Sequence, residues 1–151
     1  MTFKAIDIAN ELLRLASNEE ATGSGELMTN MKLQKLLYYQ QGFHLAAFGT
    51  PLFSENIEAW MYGPVVPEIY HTFEGYGGRG ISIDTNIPPL SFEFQEEQQL
   101  FMDVYGLYSQ YSAIGLMKMT HEEEPWSTST VGKGCIINPD VMTRFFKTRL
   151  S

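Results

Sequence analysis

Apolar residues along this chain recur mostly at helical spacing. Within residues 3–16, Ile6, Ala9, Leu12, Leu13 and Ala16 fall on one face, which predicts a first helix with Thr2 as its N-cap. The polar, glycine-bearing run 18–25 ends it and is too short to link two domains. A second helix is predicted over 31–48, capped by Thr29 or Asn30 and stopped by Gly49-Thr50-Pro51. Its stripe of Leu33, Leu36, Leu37, Gln40, Phe43, His44 and Ala47 is wide enough to bury much of the helix circumference. Gly42 and Ala46 lie four apart on another side, where a neighbour can approach closely.

The period then changes. Over 52–62, Ile57, Ala59 and Met61 alternate with Glu58, Trp60 and Tyr62, the pattern of a short strand or hairpin arm, and Gly63-Pro64 turns the chain. Pro67 suits the first position of a third helix, 67–74, because its missing N–H would be unpaired there anyway. The stretch 75–89 is rich in glycine and proline, with Ile81-Ser82-Ile83 a candidate short strand. Ser91 is expected to cap a fourth helix, with Glu93 near its positive end and Phe94, Phe101, Val104, Tyr105 and Tyr108 on its apolar face. Ser112 caps a short fifth, 113–119. Asn138-Pro139 opens the last, where Val141, Met142, Phe145 and Phe146 face inward and Lys147 and Arg149 sit at the C-terminal end. No internal repeat is visible. The expected fold class is mainly α with a small β hairpin (α+β): one compact helical domain over 1–151, of about five or six helices.

Composition narrows the setting. The 151 residues suffice for one core and not two, and 44% hydrophobic with 13% aromatic residues excludes disorder over most of the length. No apolar run approaches the ~20 residues that span a bilayer, and the N-terminus lacks the basic-then-apolar order of a signal peptide. The single Cys135 cannot form an internal disulfide or a cysteine-rich metal site. Together these predict a cytoplasmic protein with no membrane partner. The 18 acidic against 10 basic residues give −8, a field that repels a phosphate backbone and disfavours nucleic acid, while attracting a basic partner. Solubility alone explains the same charge.

Catalytic motifs fail on inspection. Gly75-Tyr76-Gly77-Gly78-Arg79-Gly80 spells G-x-G-x-x-G, but a dinucleotide site needs a strand before it and a helix N-terminus after it. Here a helix precedes, so the run reads as a helix stop and loop. His121-Glu122-Glu123-Glu124-Pro125 begins like H-E-x-x-H, yet Pro125 occupies the second ligand position. His44, His71 and His121 are the only histidines, too few companions for a converging zinc set. There is no G-x-S-x-G elbow and no phosphate-binding G-x-x-x-x-G-K-[ST] loop, and no cofactor is expected.

Three blocks are more specific: Met31-Lys32-Leu33-Gln34-Lys35-Leu36-Leu37-Tyr38-Tyr39-Gln40-Gln41-Gly42-Phe43-His44-Leu45; Pro51-Leu52-Phe53 followed by Glu58-Ala59-Trp60-Met61-Tyr62-Gly63-Pro64-Val65-Val66-Pro67-Glu68-Ile69-Tyr70; and Met119-Thr120-His121 with Glu124-Pro125-Trp126. In this order they resemble the Panacea antitoxin domain, also met as SocA-like antitoxins and the phage-associated GepA type, over nearly the whole chain. The resemblance implies a non-enzymatic antidote to a protein toxin encoded nearby, acting by direct binding. One branch of the family delivers its toxin to a protease, which makes a proteolytic adaptor the alternative and a protease the second partner to consider. A rival from another class is a small hydrolase or metalloenzyme using His44, His121 and Glu124.

The same blocks also have a purely structural reading. Trp60, Tyr62 and Tyr70 supply large buried area around the Gly63-Pro64 turn, and Leu33, Leu36 and Leu37 are core positions of the second helix. Gln40 and His44, on an apolar stripe, need hydrogen-bond partners, and His121 near Trp126 is a candidate. Lys32 and Lys35, three apart on the expected exposed side of the second helix, could grip an acidic or phosphate-bearing partner or simply be solvated. Candidate aromatic contacts for a partner are Tyr39, Tyr76 in the glycine loop, and Tyr111.

Overall fold

The computed structural model describes residues 2–21, 28–83 and 86–150. Among the described residues seven α-helices pack with one two-stranded hairpin: α1 Ala5–Ala21, α2 Asn30–Phe48, β1 Glu58–Trp60, β2 Gly63–Val65, α3 Pro67–Phe73, α4 Gln95–Tyr108, α5 Ala113–Glu122, α6 Glu124–Ser127 and α7 Pro139–Lys147. A 3-10 turn, Glu74–Tyr76, follows α3. The mainly helical α+β class is as expected, and the helix beyond the expected six is the four-residue α6. Of the expected polar loop 18–25, residues 22–25 lie outside the described residues.

Helix α2 is the axis of the molecule. The Thr29 hydroxyl accepts from the Lys32 N–H at its start, and Gly49, at φ 72°, closes its end with an N–H to the Leu45 carbonyl. Helices α1, α4, α5 and α7, with the hairpin, surround it. The expected stripe is therefore too narrow a description: α2 is buried on every side from Lys32 to Ala46. A helix enclosed this way must pair its polar side chains internally, and each one staples a neighbour. Gln34 accepts from the Val66 N–H, Gln40 donates to the Phe101 carbonyl, and Gln41 holds Leu52 and Phe53 through three bonds. His44 Nδ1 donates to the Thr50 carbonyl while Nε2 meets Glu97. The expected pairing of Gln40 and His44 with His121 does not form.

Gly42 explains the tightest contact. A Cβ there would lie 2.1 Å from the Phe146 ring, so α7 rests on bare α2 backbone. Phe146 completes an aromatic cluster with Tyr38, Tyr39 and Phe43, and Tyr39 stacks on Tyr108 at 3.9 Å. The close approach expected at Gly42 is thus filled by an aromatic side chain.

Several boundaries differ from expectation. Helix α1 starts at Ala5, not Phe3, because Phe3 bridges Phe53 and donates its N–H to the Leu52 carbonyl. The Ala5 N–H is satisfied by the distant Glu55 carboxylate rather than by Thr2. Helix α4 starts at Gln95 with no side-chain cap, so Ser91 does not cap it, and Phe94 is 51% exposed instead of on the buried face. Segment 81–83 forms no strand; the Ile81 N–H donates to the Met28 carbonyl, beside a bridge between Thr29 and Gly80. The chain reverses at Met61-Tyr62, and Gly63-Pro64 belong to β2, pairing with Trp60 and Ala59. Among the described residues no helix is long and apolar enough to cross a membrane.

Candidate functional site

A cavity of about 860 Å³ opens between the N-terminal half of α2, the hairpin, α3 and the loop 131–133. Its floor includes Asn30, Gln34, Lys35 and Val65, and its walls include Trp60, Met61, Tyr62, Tyr70 and His71. The local fold dictates the placement. Gln34 donates to Asn30, Asn30 donates to the Tyr70 carbonyl and Gln34 accepts from Val66, so two polar residues one α-helical turn apart pin α3 and the end of β2 over α2. Trp60 stands edge-on to Tyr70 at 5.1 Å, its indole N–H donates to Glu58, and Lys133 lies 5.5 Å over its ring. Segment 132–137 holds the other side of β1 through Gly132, Cys135 and Ile137.

Lys35 is the unusual group in this floor. It is 1% exposed, and its ammonium has a single hydrogen bond, 3.3 Å to the Pro64 carbonyl, among the described residues. No carboxylate pairs with it among the described residues. Burial alone pulls its pKa from 10.5 down to about 7. Gly63 makes room for the side chain: at φ 111°, with an added Cβ 2.7 Å from Lys35 Cε, this position excludes any larger residue. His121 is close enough to feel that charge. Burial first, then Lys35, hold its imidazole below the usual value, partly offset by a backbone hydrogen bond with Met61. The half-buried ring stacks on Trp126 at 3.9 Å, the Trp126 indole donates to the Trp60 carbonyl, and His121 Nε2 has no partner among the described residues.

On the far side of the same helix face, Tyr38 and Tyr39 both donate to the Glu123 carboxylate, at 3.0 and 2.9 Å. Desolvation outweighs those two bonds and raises the Glu123 carboxyl from 4.5 to about 7.

The residues singled out in the sequence divide sharply. Lys32 and Lys35 are not on an exposed side; they are 5% and 1% exposed, because α2 has no exposed side along this stretch. The Lys32 ammonium donates to the Ser109 carbonyl, where it meets the negative end of α4. Tyr39 is fully buried and cannot belong to an exposed patch. Tyr76 is half-buried, with its hydroxyl on the Ser82 carbonyl, and Tyr111 is exposed. Neither lines the cavity. Tyr62, expected in the core, is 60% exposed on the hairpin turn, while Trp60, Tyr70 and Trp126 are half-buried. Leu33, Leu36, Leu37, Gln40, His44, Gly63 and Pro64 are buried as expected of core positions. His44, His121 and Glu124 share no partner: His44 meets Glu97, His121 stacks on Trp126, and Glu124 pairs with Arg144. No cluster of three or more metal-ligating side chains forms among the described residues.

The fold adds Glu97, Glu123, His71 and Lys133 to these surroundings, and no spacing in the sequence marks them for that place. One signal was present for Lys35. Segment 30–48 carries two lysines and no acidic residue, so neither lysine has a carboxylate on its own helix.

Comparison with known proteins agrees with the motif blocks. The family model for "Antitoxin SocA-like, Panacea domain" matches residues 33–127, which run from the first turn of α2 through the hairpin, α3, α4 and α5 to the end of α6. Antitoxin SocA of Caulobacter vibrioides is 43% identical over 120 residues, covering 71% of this chain and 62% of that relative. The match thus spans less than two thirds of the relative's length. No solved structure matches the chain. With its family model matched over residues 33–127 and a 43% identical antitoxin covering 71% of its length, this chain belongs to the SocA-like antitoxins of the Panacea domain family.

Proposed function

We propose that this protein neutralises a protein toxin encoded beside it by binding it directly, with the cavity over Lys35 and the exposed hairpin tip as the contact surface. The observation that carries this reading is the hairpin: Met61 and Tyr62 project 68% and 60% exposed at the mouth of a cavity walled by aromatic rings. Large side chains held in solvent beside an aromatic-walled recess are the type of residue in which interface energy concentrates. A recess of this volume beside them can receive an anchoring side chain from the partner.

The test is co-expression with the product of the adjacent gene in wild-type and protease-deficient cells. Rescue with a recoverable complex in both strains is the expected result. Rescue only where the protease is present would make the chain an adaptor. Rescue of no neighbouring toxin would remove the antitoxin reading.

A further inference from the structure

We infer that the cavity receives a carboxylate-bearing apolar segment of the partner protein, and that Lys35 is the counter-ion its carboxylate meets. The inference rests on the antitoxin reading for the identity of the partner as a protein, and it names the chemistry of the site. Charge is the first argument. The chain carries −8 overall, yet the charged groups lining this cavity are Lys35, Lys133 and Glu74, with His71 paired to Glu74. A recess that gathers cations on an acidic protein selects an anionic group against the field of the rest of the surface.

The second argument is unmet hydrogen-bonding capacity. An ammonium has three donors, and among the described residues Lys35 uses one, on a carbonyl at the long distance of 3.3 Å. His121 beside it leaves Nε2 without a partner among the described residues. Buried polar groups are ordinarily satisfied, because leaving one unmade costs more than a made bond returns. Lys32, one helical turn away, shows the ordinary solution: it sits on the C-terminal carbonyl of a helix at 2.7 Å. Lys35 has no such arrangement, and Gly63 gives up its side chain to let it stand there. Its flexible four-carbon stem lets the ammonium exchange the Pro64 carbonyl for a carboxylate that enters the cavity. The rings of Trp60, Tyr62 and Tyr70 then flank the apolar part of the incoming segment.

The experiment uses the full chain in two arms. In the first, phenylacetate and the uncharged phenylacetamide are titrated into isotope-labelled protein and followed by NMR. Saturable shifts at Trp60 and Tyr70 with the acid are expected, weakened about tenfold or more for the amide and for Lys35→Met. An equal response to acid and amide, or no response, overturns the proposal whatever the chain does in cells. In the second arm, the toxin that the wild type neutralises is captured by wild type, Lys35→Met and the rim variant Lys133→Glu. Affinity should fall about tenfold or more for Lys35→Met and several-fold for Lys133→Glu, with a loss of salt dependence in the latter. Retention of wild-type affinity by both variants overturns the proposal while leaving the antitoxin reading intact. If the wild type neutralises nothing but the acid binds through Lys35, a free carboxylic acid replaces the partner segment and the proposal fails in that form. Should Lys35→Met not fold, the contrast between acid and amide and the Lys133→Glu variant decide the matter.

Discussion

Replacing Lys35 by methionine should make this protein more stable. The substitution keeps the unbranched stem and removes only the ammonium, which the fold holds 1% exposed with one long hydrogen bond among the described residues. A pKa lowered from 10.5 to about 7 means that burial disfavours the charged form by about 5 kcal/mol, at about 1.4 kcal/mol for each pH unit. At pH 7 the folded lysine is about half neutral, so the cost of keeping it is about 4 kcal/mol relative to a solvated lysine. Losing the donor to the Pro64 carbonyl returns about 1 kcal/mol of that. A net gain of about 2–4 kcal/mol is expected for Lys35→Met, read from urea unfolding at pH 7 with an unchanged denaturant slope. The pH dependence carries the sign. Between about 7 and 10.5 the unfolded lysine binds a proton that the folded one does not, so wild-type stability rises with pH through that window. The variant lacks this rise, so its advantage should shrink through the window and be gone by about pH 10.5, groups common to both cancelling in the difference. A variant about 1 kcal/mol or more less stable at pH 7, or one with the same slope as wild type, would refute the idea that burying an unpaired ammonium outweighs every other effect at this position. A gain in stability joined to a loss of partner binding is what a residue kept for recognition should show.

Three further outcomes follow from the packing. Gly42→Ala should destabilise by about 2 kcal/mol or more in thermal or urea unfolding, since a methyl group there enters the Phe146 ring and α7 must lift off α2. Leu37→Ala should cost about 2–5 kcal/mol, as a fully buried leucine at the centre of the core, and a loss under about 1 kcal/mol would mean that the centre of the core lies elsewhere. Glu123→Gln should change the acid side of the stability profile. The Glu123 carboxyl titrates at about 7 when folded against 4.5 in isolation, so it stabilises the wild type below 4.5 and that contribution is lost as pH rises through about 7. The glutamine variant should lack this fall, although its carbonyl oxygen must then serve both Tyr38 and Tyr39 or leave one hydroxyl unpaired.

Local chemistry was enough to locate α2, α3, α5 and α7, because each carries its own start signal: Thr29, Pro67, Ser112 and Asn138 act on backbone groups within a few residues of themselves. The core leucines of α2 were legible for the same reason, since periodicity is a property of the segment. The motif blocks that identify the family are likewise linear, and they survive without any structure. What the segment could not say is how many neighbours would cover it. A stripe indicates at least one buried face, but whether the opposite face is wet depends on elements far along the chain, and α4 and α7 close over it. That enclosure turned Lys32, Lys35 and Tyr39 from candidate surface groups into buried ones, and it recruited Glu97 and Glu123 as partners for side chains on α2. The hairpin turn moved the other way: alternation placed Tyr62 in a strand, whereas the antiparallel register sets the reversal at Met61-Tyr62 and leaves both in solvent. The sequence therefore determined the class, the helices and the family, which rest on short-range spacing, while tertiary packing alone decided which charges lost their water, and the candidate site is built from one of them.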